Sequence, residues 1–555
     1  MSVLGKKWCV KNKESELPLL ERLLRNRGLT EVGEVTRFLN PNREKDFHDP
    51  FLMDDMTKAV ERITKAIEQK ERIMIFGDYD VDGITGSAIL FRALRTLGAQ
   101  VSCRLPHRIE DGYGLRNKFI EEFKELGVGL IITVDNGISC ADQVDFALSH
   151  GIETIISDHH TVPERLPNAV AILHPKLPKA SYPCTELTGA GVALKLAQAL
   201  LSALAPESEL INDLFDLAAM GTIADMGELR GENRLIVKEG LQRMQHTRWP
   251  GLSRLKKYAG VSGVVNTEDI GFMICPRINA AGRIADPMHA FRLLIHDGQQ
   301  SDRLAYNLDQ LNQQRQTLMQ QLFILADVQA ATQTALPATV IWDKEFHGGI
   351  IGLIAARLCD KYQKPAIVME QRKDILIGSC RSVAGVNIVE ALAAVKHTLT
   401  AFGGHSAAAG FEVSKKNLND FVAALSKVLR KTVRKAPTEF ILDIDCELSH
   451  AEVADKTVEA IKTLQPFGVG NSAPLFLCRN ITIIDPSTVG KEKKHLKFKS
   501  TINGLEVDVI GFKFGEFYKE LRQGMTMDVV GQLEHNIWRG RKRLQLKLTD
   551  FALRN

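Results

Sequence analysis

No Cys-x-x-Cys pair occurs anywhere in the chain. Its nine cysteines (Cys9, Cys103, Cys140, Cys184, Cys275, Cys359, Cys380, Cys446 and Cys478) are dispersed. That spacing argues against a zinc clamp or a disulfide framework, and it is what a reducing cytoplasm permits. The first residues, Met1 to Trp8, lack the apolar core of a signal peptide, and no apolar run is long enough to span a bilayer. A cytoplasmic protein without a membrane association is therefore expected. Excess positive charge is also missing. The net charge is only +4, so any nucleic-acid footprint has to be local. The remaining composition, 45% hydrophobic and 25% charged over 555 residues, is that of an ordinary globular protein of several domains.

The chemistry is concentrated in four short stretches: Gly-Asp-Tyr-Asp-Val-Asp-Gly (77–83), Val-Asp-Asn-Gly (134–137), Ser-Asp-His-His (157–160) and Gly-Thr-Ile-Ala-Asp (221–225). The first three follow apolar runs, 72–76, 130–133 and 154–156, that read as buried parallel strands. Sites in open α/β sheets form at the carboxyl ends of such strands. The fourth ends a helix-like stretch, 212–220, whose loop can return to the same edge.

Such a crevice would collect Asp78, Asp80, Asp82, Asp135, Asp158 and Asp225. Carboxylates packed that closely repel one another or hold protons. Divalent cations resolve the conflict. Oxygen ligands mixed with imidazole from His159 and His160 suit Mn²⁺, with Mg²⁺ as the alternative. The ligand count exceeds the needs of one ion, and a pair of ions is the usual device for in-line attack on phosphate. A calcium-binding EF-hand fails on context. Its twelfth position requires Glu, and counting from Asp78 that position is Ile89.

These residues resemble the DHH phosphoesterase superfamily. The longer strings at 77–85, 106–115 (Pro-His-Arg-Ile-Glu-Asp-Gly-Tyr-Gly-Leu), 276–283 (Pro-Arg-Ile-Asn-Ala-Ala-Gly-Arg) and 403–410 (Gly-Gly-His-Ser-Ala-Ala-Ala-Gly) are similar to the RecJ family within it. The resemblance runs from about residue 60 to the C-terminus. It implies an α/β protein with a DHH-type doubly wound parallel sheet, a long connecting helix, a second α/β (DHH-associated) domain and a C-terminal OB-like β-barrel.

The segmentation read from the chain is an N-terminal adaptor (1–58), a catalytic domain (59–230), and a helical region with a connecting helix (231–335). A nucleic-acid-binding α/β domain (336–435) and an OB-like domain (436–555) follow. Residues 302–333 carry leucines at helical spacing among glutamines, which reads as a solvated bridge or a coiled-coil seam. Within 336–435, His347-Gly348-Gly349 opens a helix with free amides. Residues 375–382 form a strand carrying Ser379 and Arg381, and 402–405 is a glycine-rich turn into a small-residue helix. The C-terminal part offers two basic clusters, Lys491, Lys493, Lys494, Lys497 and Lys499, and Arg539, Arg541, Lys542 and Arg543. Trp538, Phe498, Phe512 and Phe514 lie among them as candidate stacking rings.

The resemblance implies roles. Asp80, Asp82, Asp135, His159 and Asp225 become metal ligands. His160 becomes a donor or acid at the phosphate, with Asp78 and Asp158 orienting the ligands. Ser379, Arg381 and His405, with Arg108, hold a terminal 5′ phosphate, aided by His347. Arg277, Asn279 and Arg283 line the strand's path or, alternatively, serve as caps and interface ion pairs. The implied activity is metal-dependent degradation of single-stranded DNA from the 5′ end to mononucleotides, in recombination and repair. The implied protein is a monomer with a single-strand-binding protein and a RecQ-type helicase as partners. Two rivals stand beside it. A DHH hydrolase of small phosphoesters is disfavoured by the extra C-terminal domain, and a metal-free scaffold is disfavoured by the complete set of carboxylates and histidines.

Overall fold

The computed structural model describes residues 2–14, 16–178, 180–433, 441–538 and 541–554. They form two compact units. One joins Met1–Phe47, Glu228–Leu235 and Thr438–Asn555; the other joins His48–Gly227 and Ile236–Pro437. The first strand, β1 (Lys7–Asn12), belongs to the smaller unit.

In the larger unit, β2 (Arg72–Gly77), β3 (Gln100–Arg104), β4 (Val128–Val134), β5 (Glu153–Ser157) and β6 (Ala171–Leu173) form an all-parallel sheet in the order β3-β2-β4-β5-β6. Residues 73–77 and 130–134 are buried without alternation because helices cover both faces. The chain moves outward from β2 to β3 and then returns to β4. The strand order thus reverses between β2 and β4, and a crevice opens at their carboxyl ends. Both strands end on the acidic motifs.

Helix α1 (Val81–Thr96) starts inside the first motif. The Asp80 side chain caps it by accepting from Gly83 N at 3.1 Å. Helices α2 (Gly189–Leu204) and α3 (Phe215–Ala224) pack on α1. A Cβ at Gly86 would stand 2.7 Å from Val134 Cγ1, so only glycine lets α1 lie this close to β4.

A π-helical turn (Asp269–Ile274) leads into α4 (Cys275–Ile284). Then α5 (Gln300–Ala331) runs for 32 residues. Its first half buries Ala305, Leu308 and Asn312, packing on α4 and on the helix Pro250–Tyr258. Its second half buries Leu322, Phe323 and Ala326 with α6 (Gly348–Tyr362). Of the leucines at helical spacing, Leu308 and Leu322 are thus buried within the chain.

The second sheet contains β7 (Thr339–Asp343), β8 (Ala366–Arg372), β9 (Ile375–Arg381), β10 (Ala401–His405) and β11 (Ala408–Ser414), in the order β10-β11-β9-β8-β7. Here one sequence expectation fails. Residues 402–410 do not turn into a helix; they form the β10–β11 hairpin. The reason is a period of two. Ala409, Phe411 and Val413 are buried while their neighbours are not, and β11 pairs along the whole of β9.

In the smaller unit, β12 (Ile441–Leu448), β13 (Phe476–Thr482), β14 (Ile484–Val489), β15 (His495–Ile502), β16 (Leu505–Gly511), β17 (Thr526–Trp538) and β18 (Arg541–Leu553) join β1. They form one eight-stranded sheet, β1-β12-β13-β17-β18-β16-β15-β14. The N-terminal residues do more than adapt. β1 pairs in parallel with β12, and Leu23, Leu24 and Phe38 enter the same core as Phe476 and Phe551. Arg234 fastens this unit internally. Its guanidinium donates to the carbonyls of Phe38 (2.6 Å), Leu464 (2.9 Å) and Gln465 (2.8 Å).

Two of the expected stacking rings are core residues. Phe498 and Phe514 are buried, whereas Phe512 is exposed. Much of the basic surface is paired within the unit: Lys494 with Glu492, Lys497 with Asp508, Lys499 and Arg543 with Glu506, and Lys542 with Glu459. Arg539 and the Trp538 side chain lie outside the described residues, as do Glu439 and Phe440.

Candidate metal centre

All four acidic stretches converge at the β2/β4 crevice. Ligand atoms fall into three overlapping groups, each within 4.8 Å: Asp78, Asp80 and Asp135; Asp82, His159 and Asp225; and Asp135, His159 and His160. Asp135 and His159 are each shared by two groups.

Local structure explains how the acids are held. Asp135 has φ +62°, a left-handed conformation that follows the abrupt end of β4. Asn136 anchors that turn, its Nδ2 donating to Val134 O (2.8 Å) and to Phe76 O (3.1 Å) on the neighbouring strand. The N-terminal backbone of α2 grips Asp82: Gly189 N (2.6 Å), Ala190 N (2.9 Å) and Thr188 Oγ1 (3.1 Å) all donate to its carboxylate. Asp225 caps the end of α3. A Cβ on Gly221, the first residue of that motif, would come 2.5 Å from Asp82 Oδ1, and one on Gly189 would come 2.5 Å from Asp135 Cβ.

Asp158 plays a different part. Its Oδ1 accepts from His159 N (2.7 Å), His160 N (3.2 Å) and His160 Nδ1 (2.7 Å), and its Oδ2 accepts from Ile138 N (2.9 Å). These bonds fix the orientation of the His160 ring and of the turn at Ile138. Asp78, the other residue expected to orient ligands, turns a buried, unpartnered Oδ1 toward Asp80 and Asp135. It falls in the same group of carboxylates as Asp80 and Asp135.

The electrostatics follow. Burial, reinforced by neighbouring carboxylates, raises Asp78, Asp82 and Asp135 well above the ordinary carboxylate range. Burial and Asp80 push Asp225 up to about 6. For His159, burial and then the charge on His160 lower its pKa to about 3, so it is neutral and keeps a lone pair. Burial also opposes charge on His160, but the Asp158 hydrogen bond prevails and holds it protonated up to about 9.

Asp78 Oδ1, Asp135 Oδ1 and His159 Nε2 are buried without a hydrogen-bond partner. His159 Nε2 stands 3.0 Å from Asp135 Oδ1, yet the two do not hydrogen-bond. Lone pairs converging on a shared space, unsatisfied by protein, are what divalent cations require, and this donor set fits Mn²⁺ or Mg²⁺.

A second cluster in the same unit has the opposite sign. Arg283 feels three other cations: burial and then Arg108, Arg315 and Arg381 lower its pKa to about 9, while burial and then Arg108 lower Arg381. Ser379 Oγ lies 3.5 Å from Arg381 Nη1. Guanidinium groups gathered this closely favour a bound anion.

The other candidates are placed less centrally. Arg277 ties α4 to α5, bonded to Asp309 (2.9 Å), Met273 O (2.5 Å) and Tyr258 O (3.3 Å). His347 caps α6, accepting from Gly349 N at 3.2 Å. Asn279 is half-buried on α4. His405 ends the exposed β10, two strands from Arg381 in register.

Sequence reasoning missed Arg315, which sits on α5 and is remote from every motif. It also missed Tyr113, whose hydroxyl lies 3.4 Å from both Asp135 O and His160 Nδ1. Tyr113 lies inside the 106–115 string, and that position was its only signal.

A parallel sheet whose switch point carries these acids and the Asp-His-His triplet defines a DHH-type metallophosphoesterase core. Family profiles agree: the DHH family N-terminal domain matches residues 72–222, the DHHA1 domain 329–431 and the RecJ OB domain 444–550. The single-stranded-DNA-specific exonuclease RecJ of Bacillus subtilis is 36% identical over 97% of this chain and 68% of its own length. That of Haemophilus influenzae is 33% identical over 97% of both. The solved structure of Thermus thermophilus RecJ with Mn²⁺ superposes with a TM-score of 0.82 at 30% identity, covering all of this chain and 80% of that one; its Mg²⁺ complex gives 0.75. The chain belongs to the RecJ family.

Proposed function

We propose that this chain is a metal-dependent exonuclease that degrades single-stranded DNA from the 5′ end to mononucleotides, in recombination and repair. The observation that carries the proposal is the pairing, within one unit, of unpartnered buried ligand atoms with a cluster of guanidinium groups. One site takes divalent ions and the other takes a terminal phosphate.

Asp78, Asp80, Asp82, Asp135, His159 and Asp225 would hold two ions. When bound, such a pair supplies Lewis acidity to the phosphoryl oxygens and acidifies a nucleophilic water. The protein's own groups do the rest. Arg108, Arg283 and Arg381, with Ser379, bind the 5′ phosphate, a group that a 3′ end lacks, and this sets polarity. His405 and Asn279 flank the strand. Asp158 fixes His160 through Nδ1, leaving the protonated ring's Nε2–H to donate to a phosphoryl oxygen or to the departing 3′ oxygen. We place the enzyme in the cytoplasm as a monomer, with a single-strand-binding protein and a RecQ-type helicase as partners.

The test is digestion of a 5′-phosphorylated strand labelled at its 3′ end, with Mn²⁺ or EDTA, beside a blunt duplex. The proposal expects metal-dependent shortening of the single strand, 5′ mononucleotides and an intact duplex. Turnover confined to dinucleotides would refute it in favour of a small-substrate hydrolase.

A further inference from the structure

Three close approaches connect the metal cluster to the cation cluster, and each depends on a glycine. On α4, a Cβ at Gly282 would overlap the carbonyl oxygen of Tyr79, the residue between Asp78 and Asp80. The next residue, Arg283, presents its carbonyl to the start of α6, where a Cβ at Gly349 would overlap that oxygen. Three residues further along α6, a Cβ at Gly352 would lie 3.1 Å from Ser379 Oγ and 3.5 Å from Arg381 Nη2. Two of these contacts are backbone against backbone, so no side-chain rotation relieves a change there. Arg108 contacts the same line, its guanidinium 4.9 Å from the Tyr79 ring, and its charge is felt at Arg381.

We propose that α4 is a rigid spacer fixing the distance between the anion pocket and the metal cluster, and that Gly282, Gly349 and Gly352 are positioning residues that set the length of the released product. The inference rests on the 5′-phosphate reading of the guanidinium cluster. A strand anchored by its terminal phosphate is cut wherever the ions lie, so a fixed separation gives a fixed product. Displacing one end by about an ångström should misplace the scissile bond, and misplacements of that size cost on the order of 10²-fold in rate.

The experiment uses full-length protein and 5′-radiolabelled strands ending in phosphate, with product lengths resolved on gels and Mn²⁺ affinity measured by calorimetry. Gly349→Ala should release di- and trinucleotides alongside mononucleotides and lose about 10²-fold in kcat/KM, with Mn²⁺ affinity unchanged. Gly282→Ala, at the other end, should mix product lengths and also weaken Mn²⁺ binding. A folded Gly349→Ala enzyme that still releases only mononucleotides would overturn the proposal.

A measurement on the unaltered enzyme guards against misfolded variants. A propanediol phosphate is inserted between the terminal phosphate and the first nucleoside. A fixed spacer cuts at one phosphate spacing and releases the propanediol unit, whereas release of that unit still joined to the first nucleoside would contradict it. Indifference of the unaltered enzyme to a 5′ phosphate would be a separate failure, of the pocket reading itself, and would take this inference with it.

Discussion

Replacing Asp135 with Asn should make the metal-free protein more stable and the metal-loaded protein less so. Asp135 is buried, and its charge is opposed by burial and then by Asp82, Asp80, Asp78 and Asp225. Asparagine keeps the shape, tolerates the left-handed backbone at φ +62° and removes one of the repelling charges. In EDTA, the variant's melting temperature should therefore lie above that of the unaltered protein. Mn²⁺ reverses the order. An ion at 100 times its Kd stabilises by about 2.7 kcal/mol. Over the ~380 residues of the larger unit, at an unfolding entropy of about 2 cal/mol/K per residue, that raises the melting temperature by roughly 3 °C per ion. Because Asp135 belongs to the group with Asp78 and Asp80 and lies 3.0 Å from His159 of the other, Asp135→Asn should lose most of this gain. Differential scanning fluorimetry in EDTA and across a Mn²⁺ titration reads both effects. A variant that melts below the unaltered protein in EDTA yet keeps its full Mn²⁺ gain would refute the reasoning on both counts.

Three further outcomes are expected. Arg381→Ala should lower kcat/KM on 5′-phosphorylated strands by roughly 10- to 100-fold, the worth of a charge-assisted hydrogen bond, with little change on 5′-hydroxyl strands; an equal loss on both would move the pocket elsewhere. His160→Gln should cut kcat by about 10²–10⁴-fold while calorimetry finds Mn²⁺ binding intact. Asp216, buried beside Thr247, Trp249, Lys256 and Asp213, has its pKa raised to about 6 by burial. A carboxyl raised in the folded state stabilises it fully below pH 4, and that stability is lost as pH rises through 6, in all about 3 kcal/mol. Urea unfolding from pH 4 to 7 should show that slope in the unaltered protein and a flatter one in Asp216→Asn, and parallel slopes would exclude Asp216 as the cause.

The metal centre was legible because its residues sit in short strings directly after strands, where period and turn chemistry fix position. Local pattern brought Asp78, Asp80, Asp82, Asp135, Asp158, Asp225, His159 and His160 to one crevice, and the family resemblance implied which of them are ligands. Residues that act through long-range packing left no such mark. Arg315 reaches the cation cluster from the middle of a 32-residue helix, and nothing near it in sequence sets it apart from the surrounding glutamines. The β10–β11 hairpin was misread because small residues carry little periodic signal, and the pairing of β11 with β9 decides its conformation. Phe498 and Phe514 looked like stacking rings because basic residues surround them in sequence. Alternation along β15 turns Phe498 inward and its lysine neighbours outward. The incorporation of β1 into the C-terminal sheet spans over 400 residues, and no local pattern could encode it.

The most direct test of the central claim is anomalous diffraction at the manganese edge from crystals grown with Mn²⁺. The account predicts two peaks about 3.5–4 Å apart, between the Asp78–Asp80–Asp135 group and the Asp82–His159–Asp225 group. No peak in the β2/β4 crevice, with Mn²⁺ bound only at surface carboxylates, would contradict it.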